Sequence, residues 1–280
     1  MLAPLLFVLA ALTLLPIAEL VVMSLHQISW SEGRSRWDWA GLRNYADLWR
    51  DALFHKGLVN TTIFALVAVS LQMTIGLGLA LLTSRVARGR GFYRGVLLLP
   101  ILVPGIVVGA IWKLLYSPDF GAINQIVGLV GIEPRDWLGE GALALPAIIA
   151  VNVWHWTPFC FLLLFAGIEN LPRDVYEAAE IDGASGWQRF RYVTLPLLMP
   201  TIAVTLAFRL ITAFKVFDEV YLLTGGGPGT ATEVVSFSIY RRFFTEDRAG
   251  YGSALAIVTL FLLALAVILA QGAARRRREA

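Results

Sequence analysis

LVNTTIFALVAVSLQMTIGLGLALLT, residues 58–83, is followed directly by SRVARGRGFYRG, residues 84–95. The first stretch carries no charged residue. The second carries Arg85, Arg88, Arg90 and Arg94 and no acid. A helix needs about 20 consecutive, mostly apolar residues to cross a hydrocarbon core about 30 Å thick. Residues 58–83 meet that length. The arginines behind them mark a cytoplasmic connection, because Lys and Arg in short links stay on that side of the membrane.

Five further runs meet the same test: 4–25, 96–116, 144–168, 196–223 and 253–271. Of 280 residues, 58% are hydrophobic and only 15% charged, with a mean hydropathy of +0.69. A soluble domain needs more polar surface than this. A closed barrel would show alternation in short pieces of about ten residues, and none is present. The expected fold is therefore all-α integral membrane, with about six transmembrane helices in one domain over 1–280. The first run lacks a basic leader and a small-residue cleavage site, so it reads as a retained span. There is no convincing internal repeat.

Several chemistries are set aside. Cys160 is the only cysteine, so no disulfide framework or thiolate metal site can form. His26, His55 and His155 are too scattered to suggest a metal centre. No catalytic cluster can be assembled, and a formal charge of +3 carries no nucleic-acid signal. The tail adds Arg275, Arg276, Arg277 and Arg278, whereas 117–143 holds Arg135 against Asp119, Glu133, Asp136 and Glu140. The links at 84–95 and 169–194 and both termini are thus expected in the cytoplasm. The segment 26–57, with five basic and four acidic residues, is long enough to fold on the outer face.

In span 3, Gly105 and Gly109 have the spacing that lets two helix backbones approach closely. Pro100 and Pro104 remove backbone donors there, which implies a kink whose freed groups neighbours must satisfy.

Residues 169–194, ENLPRDVYEAAEIDGASGWQRFRYVT, precede Leu195-Pro196. Pro172 suits a first helical position, and Asp174 and Glu177 suit the positive end of the helix dipole. Gly183 can take the left-handed conformation that ends a helix. Ser185 and Gln188 form an S-x-x-Q capping box, opening a second helix expected to run to about Val193. The result is two short helices at an angle, a docking element with small residues at its corner. Asp182, near a helix C-terminus, needs a cation such as Arg189 or one on another chain.

This stretch resembles the EAA loop of ABC-importer permeases. The matching positions are Glu177, Ala178, Ala179, Gly183, Leu195 and Pro196, and Asp182, Ala184 and Ser185 fit the sugar-type version. LLTGGGPGTATE after span 5, with Gly225, Gly226, Gly227, Pro228, Thr232 and Glu233, is similar to permeases of the maltose, glycerol-3-phosphate and polyol type. The resemblance implies one of two permease subunits forming the pathway for a sugar-like solute. Its implied partners are an ABC ATPase dimer docked on the EAA loops, a second permease and an extracytoplasmic solute-binding protein, all working in membrane lipid. Without a GxxxxGK[ST] pattern, this chain should bind no ATP or Mg²⁺ itself and leave hydrolysis to the partner ATPase.

Charged residues within a span are costly and mark functional candidates. Span 5 has Arg209, Lys215, Asp218 and Glu219, and helical spacing would put Lys215 beside either acid. Span 4 has Asn152, Trp154, His155 and Trp156, residue types that stack on or hydrogen-bond sugars. The alternative reading of both groups is internal structural pairing, the one preferred for Arg209. In maltose-type permeases the corresponding part of span 5 offers asparagines, where this chain has Lys215 and Val216. A secondary transporter or a membrane enzyme would each leave the EAA-like loop unexplained.

Overall fold

The computed structural model describes residues 3–31, 34–86 and 88–279. The side chains of Arg90 and of the four tail arginines lie outside those described. In chain order the helices are α1 (Ala3–Ser24), α2 (Arg43–Leu48), α3 (Ala52–Arg85), α4 (Arg90–Leu98), α5 (Gly105–Leu115), α6 (Ala122–Leu129), α7 (Gly141–Glu169), α8 (Arg173–Ile181), α9 (Gly186–Arg189), α10 (Leu195–Phe214), α11 (Asp218–Leu223), α12 (Val235–Tyr240) and α13 (Ala249–Glu279). One antiparallel hairpin, β1 (His26–Ser31) with β2 (Arg34–Trp39), departs from an otherwise helical fold.

All six apolar runs are helical, in three different forms. Pro4–Ser24, Ala52–Arg85, Gly141–Glu169 and Gly186–Leu223 are each long and apolar enough to cross a membrane. Ala249–Leu265 is a shorter apolar stretch of α13. The third run is not one helix: Gly91–Leu102 and Gly105–Leu115 meet at 91°. Pro100 and Pro104 flank this break. Val103 between them is extended (φ −82°, ψ 126°) and closes a 3₁₀ turn.

Contacts divide the chain into two compact units, 1–61 with 232–280, and 62–231. In the first, Leu48, Phe54, Val235, Tyr251 and Leu255 form a buried core. Asp51 starts α3 by accepting from the N–H groups of Leu53 and Phe54 at 2.9 and 3.2 Å. Its other oxygen accepts from Tyr251 at 2.7 Å and Arg242 at 3.1 Å. Burial tends to raise this carboxyl, but the Tyr251 hydroxyl, the Phe54 N–H, Arg242 and the Leu53 N–H outweigh it and hold it below its ordinary value of 3.8.

In the second unit, α3, α7 and α10 pack around Ala80, Cys160, Phe161, Leu164, Phe165 and Leu198. Glycines set the approach distances. A Cβ on Gly76 would lie 2.8 Å from the Cβ of Cys160, and one on Gly167 would lie 2.7 Å from Leu198 Cδ1. Gly105 and Gly109 bring α5 onto α11, where Cβ atoms would meet Asp218 Oδ2 at 2.6 Å and Leu222 Cδ1 at 2.8 Å. The sequence spacing is thus used for close packing.

Candidate functional site

Two features of the second unit bear on function: the loop between α7 and α10, and a polar cluster inside the bundle.

Pro172 caps α8 from outside, with φ −62° and ψ 127°, one position earlier than the first helical turn. At the other end the chain closes a complete Schellman motif. Gly183 N–H donates to the Glu180 carbonyl at 3.0 Å, and Ala184 N–H to that of Ala179 at 2.9 Å. Gly183 holds φ +75° to do so. The Ser185 N–H then donates to Gln188 Oε1 at 2.7 Å and the Gln188 N–H to Ser185 Oγ at 3.3 Å, so the capping box is present. Tyr176 donates to Thr194 Oγ1 at 2.7 Å, tying α8 to the turn that follows α9. The two ends that meet at the corner, the C-terminus of α8 and the N-terminus of α9, are each closed by specific bonds, which fixes the angle between them.

Two expectations for the loop need correction. Arg189 pairs with Glu180, not with Asp182. The second helix does not stop near Val193. It passes through a π turn, Phe190–Thr194, straight into α10, whose second residue is Pro196. Glu177, Ala178, Asp182, Gly183 and Ser185 are exposed, as is Pro196, while Ala179, Ala184 and Leu195 are half-buried. Large apolar side chains stand out beside them, with Ile181 87% and Trp187 70% exposed. Rigid exposed apolar surface of this kind is what a partner protein covers.

Inside the bundle, Gln72, Asn152, His155, Arg209 and Glu219 are all buried. Arg209 Nε donates to Gln72 Oε1 at 2.9 Å, and Gln72 Nε2 to Asn152 Oδ1 at 2.9 Å. The Asn152 amide then donates to Glu219 Oε1 at 2.7 Å. Arg209 also donates to Thr212 Oγ1 at 2.7 Å and lies over the Trp156 ring, 4.3 Å from its centroid. Neutral amides therefore connect a buried cation to a buried anion, so each charge is solvated by dipoles and the pair by one another.

His155 Nε2 lies 3.0 Å from the Val103 carbonyl. A carbonyl can only accept, so this nitrogen carries a proton. It supplies the donor that the break in span 3 leaves missing. The other ring nitrogen faces Glu219 Oε1 at 3.8 Å, which is too long for a hydrogen bond.

A cavity of about 180 Å³ lies against this cluster, lined by Asn152, His155, Trp156, Lys215, Asp218 and Glu219 among others. The structure thus brings together seven of the eight residues singled out from spans 4 and 5, Arg209 among them. Trp154 is the exception. It is 41% exposed, lines a separate apolar cavity of about 840 Å³ and meets Trp112 edge to face at 5.6 Å. The expected pairing of Lys215 with Asp218 or Glu219 is absent. The helix ends at Phe214 and restarts at Asp218, so helical spacing does not hold across the gap. Gln72, Thr212 and the Val103 carbonyl were not anticipated, although Gln72 stands out as a side-chain amide in a charge-free span.

A helical membrane bundle with a polar cluster inside and an exposed corner outside fits a transport subunit. The chain belongs to the binding-protein-dependent transport system inner membrane component family, whose model matches residues 72–279. It is 39% identical over 280 residues, covering 100% of this chain and 94% of its relative, to the trehalose/maltose transport system permease protein MalF of Thermococcus litoralis. It is 36% identical to the sulfoquinovosyl glycerol transport system permease protein SmoG of Agrobacterium fabrum, covering 95% and 86% of the two chains. A chain in the crystal structure of a bacterial ABC transporter involved in import of the acidic polysaccharide alginate superposes with a TM-score of 0.85 at 25% identity, covering 99% of this chain and 94% of that one.

Proposed function

We propose that this chain is one of two permease subunits of an ATP-driven importer for a sugar or sugar-like solute. The observation that carries this reading is the exposed, doubly closed corner at 173–189, positioned to receive an ATPase. ATP and Mg²⁺ bind that ATPase, and this chain binds neither. A second permease completes the pathway, and a solute-binding protein delivers cargo on the outer face. The names of the relatives, which include the lactose transport system permease protein LacF of Rhizobium radiobacter at 32% identity over 99% of this chain and 93% of that relative, support the carbohydrate class. The chain works as one transmembrane domain over 1–280, with both termini and the loops at 84–95 and 169–194 in the cytoplasm of a bacterial cell.

Within the bundle, solute passes the small cavity lined by Asn152, His155, Trp156, Lys215, Asp218 and Glu219. Amides and carboxylates there match the hydroxyls of a sugar, and the Trp156 face matches its C–H surface. The test is mild-detergent purification of the tagged full chain from its host, with mass spectrometry of what accompanies it. Recovery of an ATPase and a second permease is expected, and the neighbouring binding protein can then be screened with trehalose, maltose and lactose. Recovery of the chain alone, under conditions that keep other such complexes intact, overturns the reading.

A further inference from the structure

A second polar cavity, of about 540 Å³, lies between the end of α3, the end of α7 and the loop. It touches none of the pathway residues. Arg85, Arg173 and Arg189 line it, and Glu169 is the one acid among its described lining residues. Arg189 is already held by Glu180. Neither Arg85 nor Arg173 has a carboxylate within ion-pair distance among the described residues. Arg85 and Arg173 are solvent-exposed and stand beside Glu169 and apolar walls from Leu81, Leu171 and Phe190. Planar guanidinium forks match phosphate oxygens in geometry as well as charge.

The depth of the cavity points to its ligand. α3 has 34 residues, about 51 Å at 1.5 Å per residue, and so outruns a hydrocarbon core of about 30 Å. With 58–83, about 39 Å of helix, centred on that core, Arg85 stands at head-group level. α4 follows it there, with Phe92 73% and Tyr93 50% exposed, and aromatic side chains seat at that level. Arg94 turns back over Phe165, 4.9 Å from the ring centroid. Basic pockets between helices on the cytoplasmic side take anionic head groups.

We propose that this cavity binds a phosphate-bearing anion, the head group of an anionic phospholipid of the inner leaflet, clamped between Arg85 and Arg173. The proposal rests on the cytoplasmic placement of the loop given above. Arg85 closes α3 and Arg173 opens α8, so the bound phosphate ties the end of a span to the docking corner and stiffens it. A soluble phosphate compound has the same chemistry, and the test separates the two.

The full chain, with whatever partners co-purify, is reconstituted in phosphatidylglycerol or phosphatidylcholine nanodiscs, released, and weighed by native mass spectrometry for retained lipid. Recovered partners report on the proposed function, and retained lipid reports independently on the cavity. Retention of phosphatidylglycerol over phosphatidylcholine is expected. It should fall about 30-fold in the Arg85→Gln/Arg173→Gln variant, at about 1 kcal/mol for each basic group near an anionic surface. The Arg85→Lys/Arg173→Lys variant should keep part of the retention, which a misfolded chain would not. If inorganic phosphate binds and no lipid is retained, the cavity holds a soluble phosphate and the lipid assignment is overturned. Equal retention by wild type and the glutamine variant overturns the site altogether. So does loss of the ATPase from that variant with lipid retention unchanged, which would make the arginines ATPase contacts.

Discussion

At Gly183 it is the backbone conformation, and not the surrounding space, that demands glycine. Its φ is +75°, and a Cβ built there meets no heavy atom within 4 Å. A β-branched residue there strains the corner by about 1–2 kcal/mol without disturbing a span. Gly183→Val should therefore leave thermal unfolding of the bundle nearly unchanged while reducing ATPase recovery and solute uptake severalfold. Full uptake by this variant would mean that the corner does not transmit motion. Ser185, Gln188 and Gly183 were legible from sequence because caps are local chemistry. The partner of Arg189 was not, since Glu180 and Asp182 are both within reach of one long side chain. Nor were the partners of Arg209, because Gln72 and Asn152 come from two other helices and no sequence spacing joins them.

Among the elements, the contact of α5 with α11 separates packing from propensity. A Cβ on Gly109 would stand 2.8 Å from Leu222 Cδ1 and 2.9 Å from its Cβ, so Gly109→Ala overpacks the seam and should cost about 1–3 kcal/mol. Gly78 in α3 has nothing within 4 Å of its built Cβ, and Gly78→Ala should leave the melting temperature equal or higher. Thermal unfolding of both variants in one detergent checks the contrast. A second element-scale prediction concerns the start of α3. The Asp51 carboxyl sits below its ordinary value, so its contribution to stability is complete above pH 3.8 and is lost as pH falls through the lowered folded value. Asp51→Asn should melt lower than wild type at neutral pH, and the gap should close on acidification. A gap that stays constant with pH would remove the ionic contribution. Helix existence was readable for every apolar run, because length and apolarity decide it locally. The 91° break at 102–105 was readable only as a kink, since its angle depends on how His155 and Asp218 receive the two halves. The hairpin at 26–39 went unread because it shows no sustained alternation: among the described residues only Ile28 of β1 is buried, and those of β2 are all exposed.

For the whole molecule, the bent pair decides how many times the chain crosses the membrane. Gly91–Leu102 and Gly105–Leu115 either pass through it or turn back within it, and every later segment inverts if they turn back. The arginine-rich link before the pair, against a connection after it with only Arg135, argues for a crossing, since Lys and Arg in short links stay in the cytoplasm. Gly91, which begins the pair, and Gly128, which follows it, are both exposed, and a Cβ at either enters open space. Cys160, the only cysteine of the chain, is fully buried, so the native background to a membrane-impermeant maleimide should be silent. Gly91→Cys should label only in inside-out vesicles and Gly128→Cys only in right-side-out ones. Labelling of both from one face would make the pair re-entrant, leave five crossings and move the tail to the other side. It would also separate the loop at 169–194 from any cytoplasmic ATPase. The orientation and the docking role of the loop therefore stand or fall together on this labelling pattern.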